Sequence, residues 1–235
     1  MNKVVAAGHR WRLLGPRWDW RGGAFWRKVR LLFHAVSFGL SVSETTGIFV
    51  CVVGPSGAGK DTLLRLAKSK LAGEPGFSFP RRHVTRPPSE CEDHLVLSEA
   101  DYAVALRAGL FALAWRAHGL GYGIGCEVLP ALAAGHVVPC NVSREAIIAA
   151  KMSFPRIATV LVTAPVDVLA ARLNARGRET VADIGGRLAR NREVAETFAA
   201  DFVIDNSGPA AAGAEKLVGI LHTLAATARS MAPQI

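Results

Sequence analysis

Hydrophobic positions change period along this chain, and the changes mark out its elements. Ile48–Val53 is an unbroken apolar run of strand length, the pattern of a strand covered on both faces. From Thr62 the period becomes helical: Leu63, Leu66, Ala67 and Lys70 or Leu71 share one face, with Arg65, Lys68 and Ser69 on the other. His136–Ser143, Ala158–Thr163 and Phe202–Ile204 read as further strands, although Pro139 would remove a ladder bond if its strand were central. Ser98-Glu-Ala-Asp101 is a capping box that opens a helix ending near Gly109. Other helices are expected from a Ser143 cap to about Lys151, from Pro165 to Arg176, and from about Pro209 to Ala228, with Gly73–Pro80 as a linker. Strands alternating with helices predict an α/β fold whose parallel sheet is covered on both sides.

Between the first strand and its helix lies Gly54-Pro55-Ser56-Gly57-Ala58-Gly59-Lys60-Asp61-Thr62. Glycines at 54, 57 and 59 allow backbone conformations in which successive N–H groups converge on phosphate oxygens. A helix beginning near Asp61 or Thr62 adds unpaired donors and the positive end of its dipole. Lys60 can reach the β- and γ-phosphates. A hydroxyl usually follows that lysine and holds magnesium. Here the place belongs to Asp61, with Thr62 one residue late, so both are candidate metal ligands.

Two other segments carry candidate chemistry. RRHVTRPP (81–88) crowds Arg81, Arg82, His83 and Arg86 around a short extended piece, either a solvated basic strand or an anion site for a second substrate. LFALAWRAHGLGYGIG (110–125) sets Trp115, His118 and Tyr122 among glycines, either as turn packing or as one wall of a pocket. In RLNARGRETVADIGGRLARNRE, Arg172 and Arg176 are four apart, and Arg187 and Arg190 three apart. Like charges at such spacings repel unless an anion or carboxylate lies nearby. Glu179, Asp183 and Glu193 would make this a salt-bridged surface; the preferred reading is an arginine lid over a transferring phosphoryl group.

Composition adds two constraints. Of a formal net charge of +9 over 235 residues, residues 1–45 supply +6, from eight Lys/Arg against Asp19 and Glu44. Four of the five tryptophans also fall there. Residues 1–44 therefore read as a basic, tryptophan-rich extension, poorly ordered, ahead of a domain spanning 45–235. A basic amphipathic face through Trp26, Val29, Phe33, Val36 and Leu40 is the other reading. Cysteines 51, 91, 126 and 140 lack paired spacing, which argues for a reduced protein in the cytoplasm.

GPSGAGKDTLL, VTRPP, GLFALAWRAHGLGYG and RLNARGRE together resemble the guanylate kinase group of P-loop kinases. Aspartate after the lysine, the His94 to Ser98 spacing, LAWRAHGLGYGIG, NVSR and LNARGRE resemble its ribose 1,5-bisphosphate phosphokinase branch more than true guanylate kinases. The resemblance implies a P-loop NTPase fold of the nucleoside monophosphate kinase kind, a three-layer sandwich with a central parallel sheet and an arginine lid. It implies ATP as phosphoryl donor, Mg2+ as cofactor, and ribose 1,5-bisphosphate as acceptor, giving phosphoribosyl diphosphate and ADP. Lys60, Asp61, Arg172 and Arg176 would act in transfer, and Arg86, His94, Trp115, Tyr122 and Arg187 would hold the acceptor. Neither nucleic acid nor a membrane is expected as a partner, and a homodimer is left open. Guanylate kinases carry aspartates where this chain has Asn141 and Ser143. The alternatives are phosphorylation of GMP, which side-by-side acceptor assays would separate, and a non-catalytic scaffold, against which the intact Gly59-Lys60 and the arginines argue.

Overall fold

The computed structural model describes residues 45–87, 93–175 and 199–231. Its elements run β1 (Ile48–Val53), α1 (Lys60–Lys70), β2 (Arg82–Val84), β3 (His94–Val96), α2 (Glu99–Arg107), β4 (Phe111–Ala117), β5 (Leu120–Gly125) and α3 (Val128–Ala133). They continue with β6 (Val137–Asn141), α4 (Ala146–Ser153), β7 (Ile157–Thr163), α5 (Val166–Ala175), β8 (Phe202–Asp205) and α6 (Ala210–Ser230).

The first sheet has the order β6-β1-β7-β8, and every pairing in it is parallel. All residues of β1 are buried because alternate side chains feed two cores. Val50 and Val52 pack with Leu63, Ala67 and Leu71 of the α1 segment and Leu217 and Leu221 of α6. Phe49, Cys51 and Val53 face the other way, toward Val128 and Leu132 of α3, Ile147 of α4 and Trp115 of β4. Helices, sheet and opposing helices thus form the three layers that the uninterrupted apolar strand implied.

Pro139 is accommodated because of its parity. Val137 donates its N–H outward to Gly76 O at 2.8 Å, while Val142 donates inward to Val52 O at 3.1 Å. Alternation along β6 therefore turns position 139 outward, on the outermost strand, where the β1 ladder needs no donor.

A second sheet, β3-β2-β5-β4, pairs β2 with β3 in parallel and is otherwise antiparallel, so the parallel-sheet expectation covers only the first sheet. Its core is a hairpin turning at His118 and Gly119, both with positive φ (51° and 75°), the conformation of a two-residue type I′ turn. The glycines of β5 make room for rings. A Cβ on Gly121 would stand 2.9 Å from the Tyr102 ring, and one on Gly123 would stand 2.5 Å from Phe111. Tyr102, buried on α2, donates its hydroxyl toward Trp115 O and Tyr122 O, both at 3.2 Å, which fastens the helix to the hairpin. Ser98 caps α2 as expected, its Oγ accepting from Asp101 N at 3.0 Å. Ser143 does not cap α4. The helix begins beyond Glu145, and the carbonyl of Ser143, not its hydroxyl, accepts from Ala146 N.

Candidate active site

The glycine loop leaves the C-terminal end of β1 and enters α1 directly. Gly54, Gly57 and Gly59 all have positive φ (146°, 85° and 92°), so the conformation that the sequence demanded of them is present. Helix α1 starts at Lys60, one residue earlier than expected, with Gly59 as its N-cap. Lys60 folds over the loop, donating from Nζ to Gly54 O at 2.7 Å and Pro55 O at 2.9 Å. The result is a ring of backbone donors with an ammonium at its mouth, built for phosphate oxygens.

Four asparagine and arginine hydrogen bonds surround this loop and the first turn of α1. Asn206, buried just beyond β8, donates from Nδ2 to Ala58 O at 2.8 Å and fixes the loop from beneath. Arg172 on α5 donates to Asn206 O at 2.9 Å, which places the first of the expected lid arginines against the loop's support. The other two meet at Asp61. Its Oδ1 accepts from Asn141 Nδ2 at 2.8 Å and from Arg82 NH2 at 3.0 Å, so one carboxylate oxygen ties α1 to the end of β6 and to the second sheet. Asn141 was marked by the NVSR resemblance, whereas the sequence signal for Asn206 was its position just past the C-terminal end of a parallel strand, where open α/β sheets bind ligands.

The second sheet turns one face to this corner. Its registers put Arg82 beside His94, and Val84 beside Tyr122, which in turn pairs with Trp115; side chains paired across a sheet share a face. Arg82, His94, Tyr122 and Trp115 therefore stand on the same side, and Arg82 shows which way it looks by reaching Asp61. Within the group, Tyr122 is partly exposed, whereas Trp115 is only 2% exposed and stacks behind it with centroids 5.2 Å apart. His94 is buried, and Arg86 is partly buried in the turn after β2. Arg176 and Arg187 lie outside the described residues.

Burial sets the protonation chemistry around the face. His83, on the opposite side of β2 against Phe111, is held below the ordinary histidine range by burial, with the charge of Arg81 adding to the effect. Burial pushes the Cys140 thiol, next to Asn141, up to about 12, so it remains a neutral packing group. Among the described residues there is no cluster of three His, Cys, Asp or Glu that would hold a metal by itself. Magnesium in a phosphotransfer site needs no such cage, since one or two carboxylates plus substrate phosphates suffice. Asp61 fits that requirement: it stands one residue past Lys60, and its Oδ2 accepts no hydrogen bond from the described residues.

Comparison with known proteins gives this arrangement its family. The chain is 51% identical over 176 residues to the ribose 1,5-bisphosphate phosphokinase PhnN of Methylobacterium radiotolerans, covering 75% of this chain and 98% of the relative. It is 46% identical to the enzyme of the same name from Rhizobium etli, covering 77% and 92%. This chain belongs to the ribose 1,5-bisphosphate phosphokinase family. A guanylate kinase from Anaplasma phagocytophilum has the same fold, with a TM-score of 0.57 at 16% identity over 77% of this chain and 87% of that one. No family model matches the chain. Membership makes the chain a kinase, and the phosphokinase fold is the guanylate kinase-like P-loop fold described above. No helix among the described residues is long and apolar enough to cross a membrane.

Proposed function

We propose that this chain transfers the γ-phosphoryl group of ATP to the 1-phosphate of ribose 1,5-bisphosphate, yielding 5-phospho-α-D-ribose 1-diphosphate and ADP. The observation that carries the reading is the meeting of an intact phosphate loop with a second, cation-bearing sheet at Asp61, in a chain so close to phosphokinases over nearly their whole length. The domain responsible is residues 45–235, with residues 1–44 dispensable for transfer.

An oxygen of the acceptor phosphate attacks the γ-phosphorus, a new P–O bond forms, and the bond to the β–γ bridging oxygen breaks, leaving its electron pair on ADP. A phosphate whose second ionisation lies near pH 6 is largely dianionic at neutral pH, so no side chain has to remove a proton. What the protein supplies is alignment and charge neutralisation. The loop from Gly54 to Thr62 cradles the donor's phosphates through its N–H groups and the start of α1. Lys60, already bent over the loop mouth, bridges to the oxygens of the transferring group. Arg172 acts near the loop from α5, and Arg176 and Arg187 complete the cationic surround. Arg86 and Tyr122 hold the acceptor, with Trp115 stacked behind Tyr122 and His94, its ring nitrogens buried, lying under the face beside Arg82. Asp61, with Thr62 beside it, would hold Mg2+, which when bound draws negative charge from the donor's phosphates.

The test is ADP release measured with ribose 1,5-bisphosphate and GMP side by side. Turnover of the sugar bisphosphate, at least about a hundredfold above GMP, is expected. Preferential turnover of GMP would overturn the assignment.

A further inference from the structure

The most informative contact in the molecule joins two residues separated by 80 positions in the chain. Asn141 Nδ2 donates to Asp61 Oδ1 at 2.8 Å. In the usual phosphate loop a hydroxyl follows the lysine, and this chain resembles kinases that place carboxylates on the strand carrying Asn141. Here the carboxylate is on the helix and a neutral amide is on the strand.

We infer that Asp61 and Asn141 are a transposed pair, with the carboxylate moved from strand to helix, and that Asn141 and Arg82 are positioning residues that aim Asp61 at the divalent cation. This rests on the phosphotransfer reading above. Each part follows from chemistry at the site. A carboxylate at 141 would meet that of Asp61 at hydrogen-bonding distance, and two carboxylates so close do not both ionise. An amide at 141 instead offers a donor, so the identity of residue 141 follows from that of residue 61. Arg82 supplies the second donor to the same Oδ1 at 3.0 Å. Its side chain is only 12% exposed and that of Asp61 34%, so the contact is more sheltered than a surface ion pair. With Oδ1 engaged by two donors from different elements, Oδ2 is the oxygen left for the cation. Neighbours that orient a metal ligand are typically worth ten- to a hundredfold in metal affinity.

The experiment measures Mn2+ binding by the loss of the free-ion electron paramagnetic resonance signal, with protein and the β,γ-imido analogue of ATP present. Asn141→Ala should weaken Mn2+ by roughly tenfold while leaving metal-free nucleotide binding unchanged. Asp61→Thr and the near-isosteric Asp61→Asn should each weaken it by at least about tenfold. The double variant Asp61→Thr with Asn141→Asp restores hydroxyl on helix and carboxylate on strand, and should return to within about threefold of the original chain. If the double variant binds no better than Asp61→Thr, or Asn141→Ala binds normally, the transposition is wrong. If both Asp61 variants bind Mn2+ normally, the metal assignment itself fails, and the inference fails with it. ADP release by the unaltered chain tests the phosphotransfer reading separately.

Discussion

Arg82 and Asp61 lie 3.0 Å apart and join the second sheet to the helix that follows the phosphate loop. Removing the arginine leaves a half-sheltered carboxylate with one donor fewer. Arg82→Ala should therefore lower stability by about 1–2 kcal/mol, less than a fully buried pair because Asp61 remains accessible to water. Urea midpoints measure that loss. Steady-state kinetics should show the Mg2+ concentration needed for half-maximal turnover rising, since Arg82 supplies one of the two donors to Asp61 Oδ1.

Lys60 already sits over the loop mouth, within 2.7–2.9 Å of two loop carbonyls. Lys60→Ala should lower kcat by roughly 10²–10³, the usual effect of removing one charge-stabilising donor. The thermal midpoint should move little, because the loop is also held by Asn206 from below. A single-turnover assay with matched melting curves checks both statements.

Glycines in this chain sort by what lies above them. Gly123→Ala would bring a Cβ to 2.5 Å from the Phe111 ring, inside a core with no slack, and should destabilise by about 1–3 kcal/mol. Gly219→Ala on the exposed side of α6 meets nothing within 4 Å and should stabilise by about 0.5–1 kcal/mol through helix propensity. Chemical denaturation of the two variants should give opposite signs.

His83 predicts a pH dependence. Burial holds its folded pKa below the ordinary histidine value of 6.5, so between that lower value and 6.5 the unfolded chain binds the proton more readily. Its contribution to stability is present above 6.5 and is lost as pH falls toward the folded value. His83→Gln should flatten this part of the decline. Comparing the fall in melting temperature from pH 8 to 5.5 in the two proteins reads the slope, independent of any constant cost of the substitution.

The parallel sheet and the phosphate loop were legible because their signals are local: an apolar strand, glycines and a lysine follow one another without a break. The hairpin was not legible. Glycine at 121, 123 and 125 breaks up the run of branched residues by which strands are recognised, and the reason at 121 and 123 is the ring packing of Tyr102 and Phe111 from elsewhere in the chain. Adjacent His118 and Gly119 were the available sign of a tight turn. His94, Trp115 and Tyr122 were picked out by type and resemblance, and the sheet register is what places them on one face with Arg82. The Asp61–Asn141 bond lay beyond a linear reading, since it depends on which strand lies next to β1.

Tyr102 rests on glycine, while its hydroxyl spans both strands of the hairpin. Helix α2 and the hairpin are consequently fastened together as one tray. A load applied to the hairpin therefore passes to α2 as well, through the Tyr102 hydroxyl.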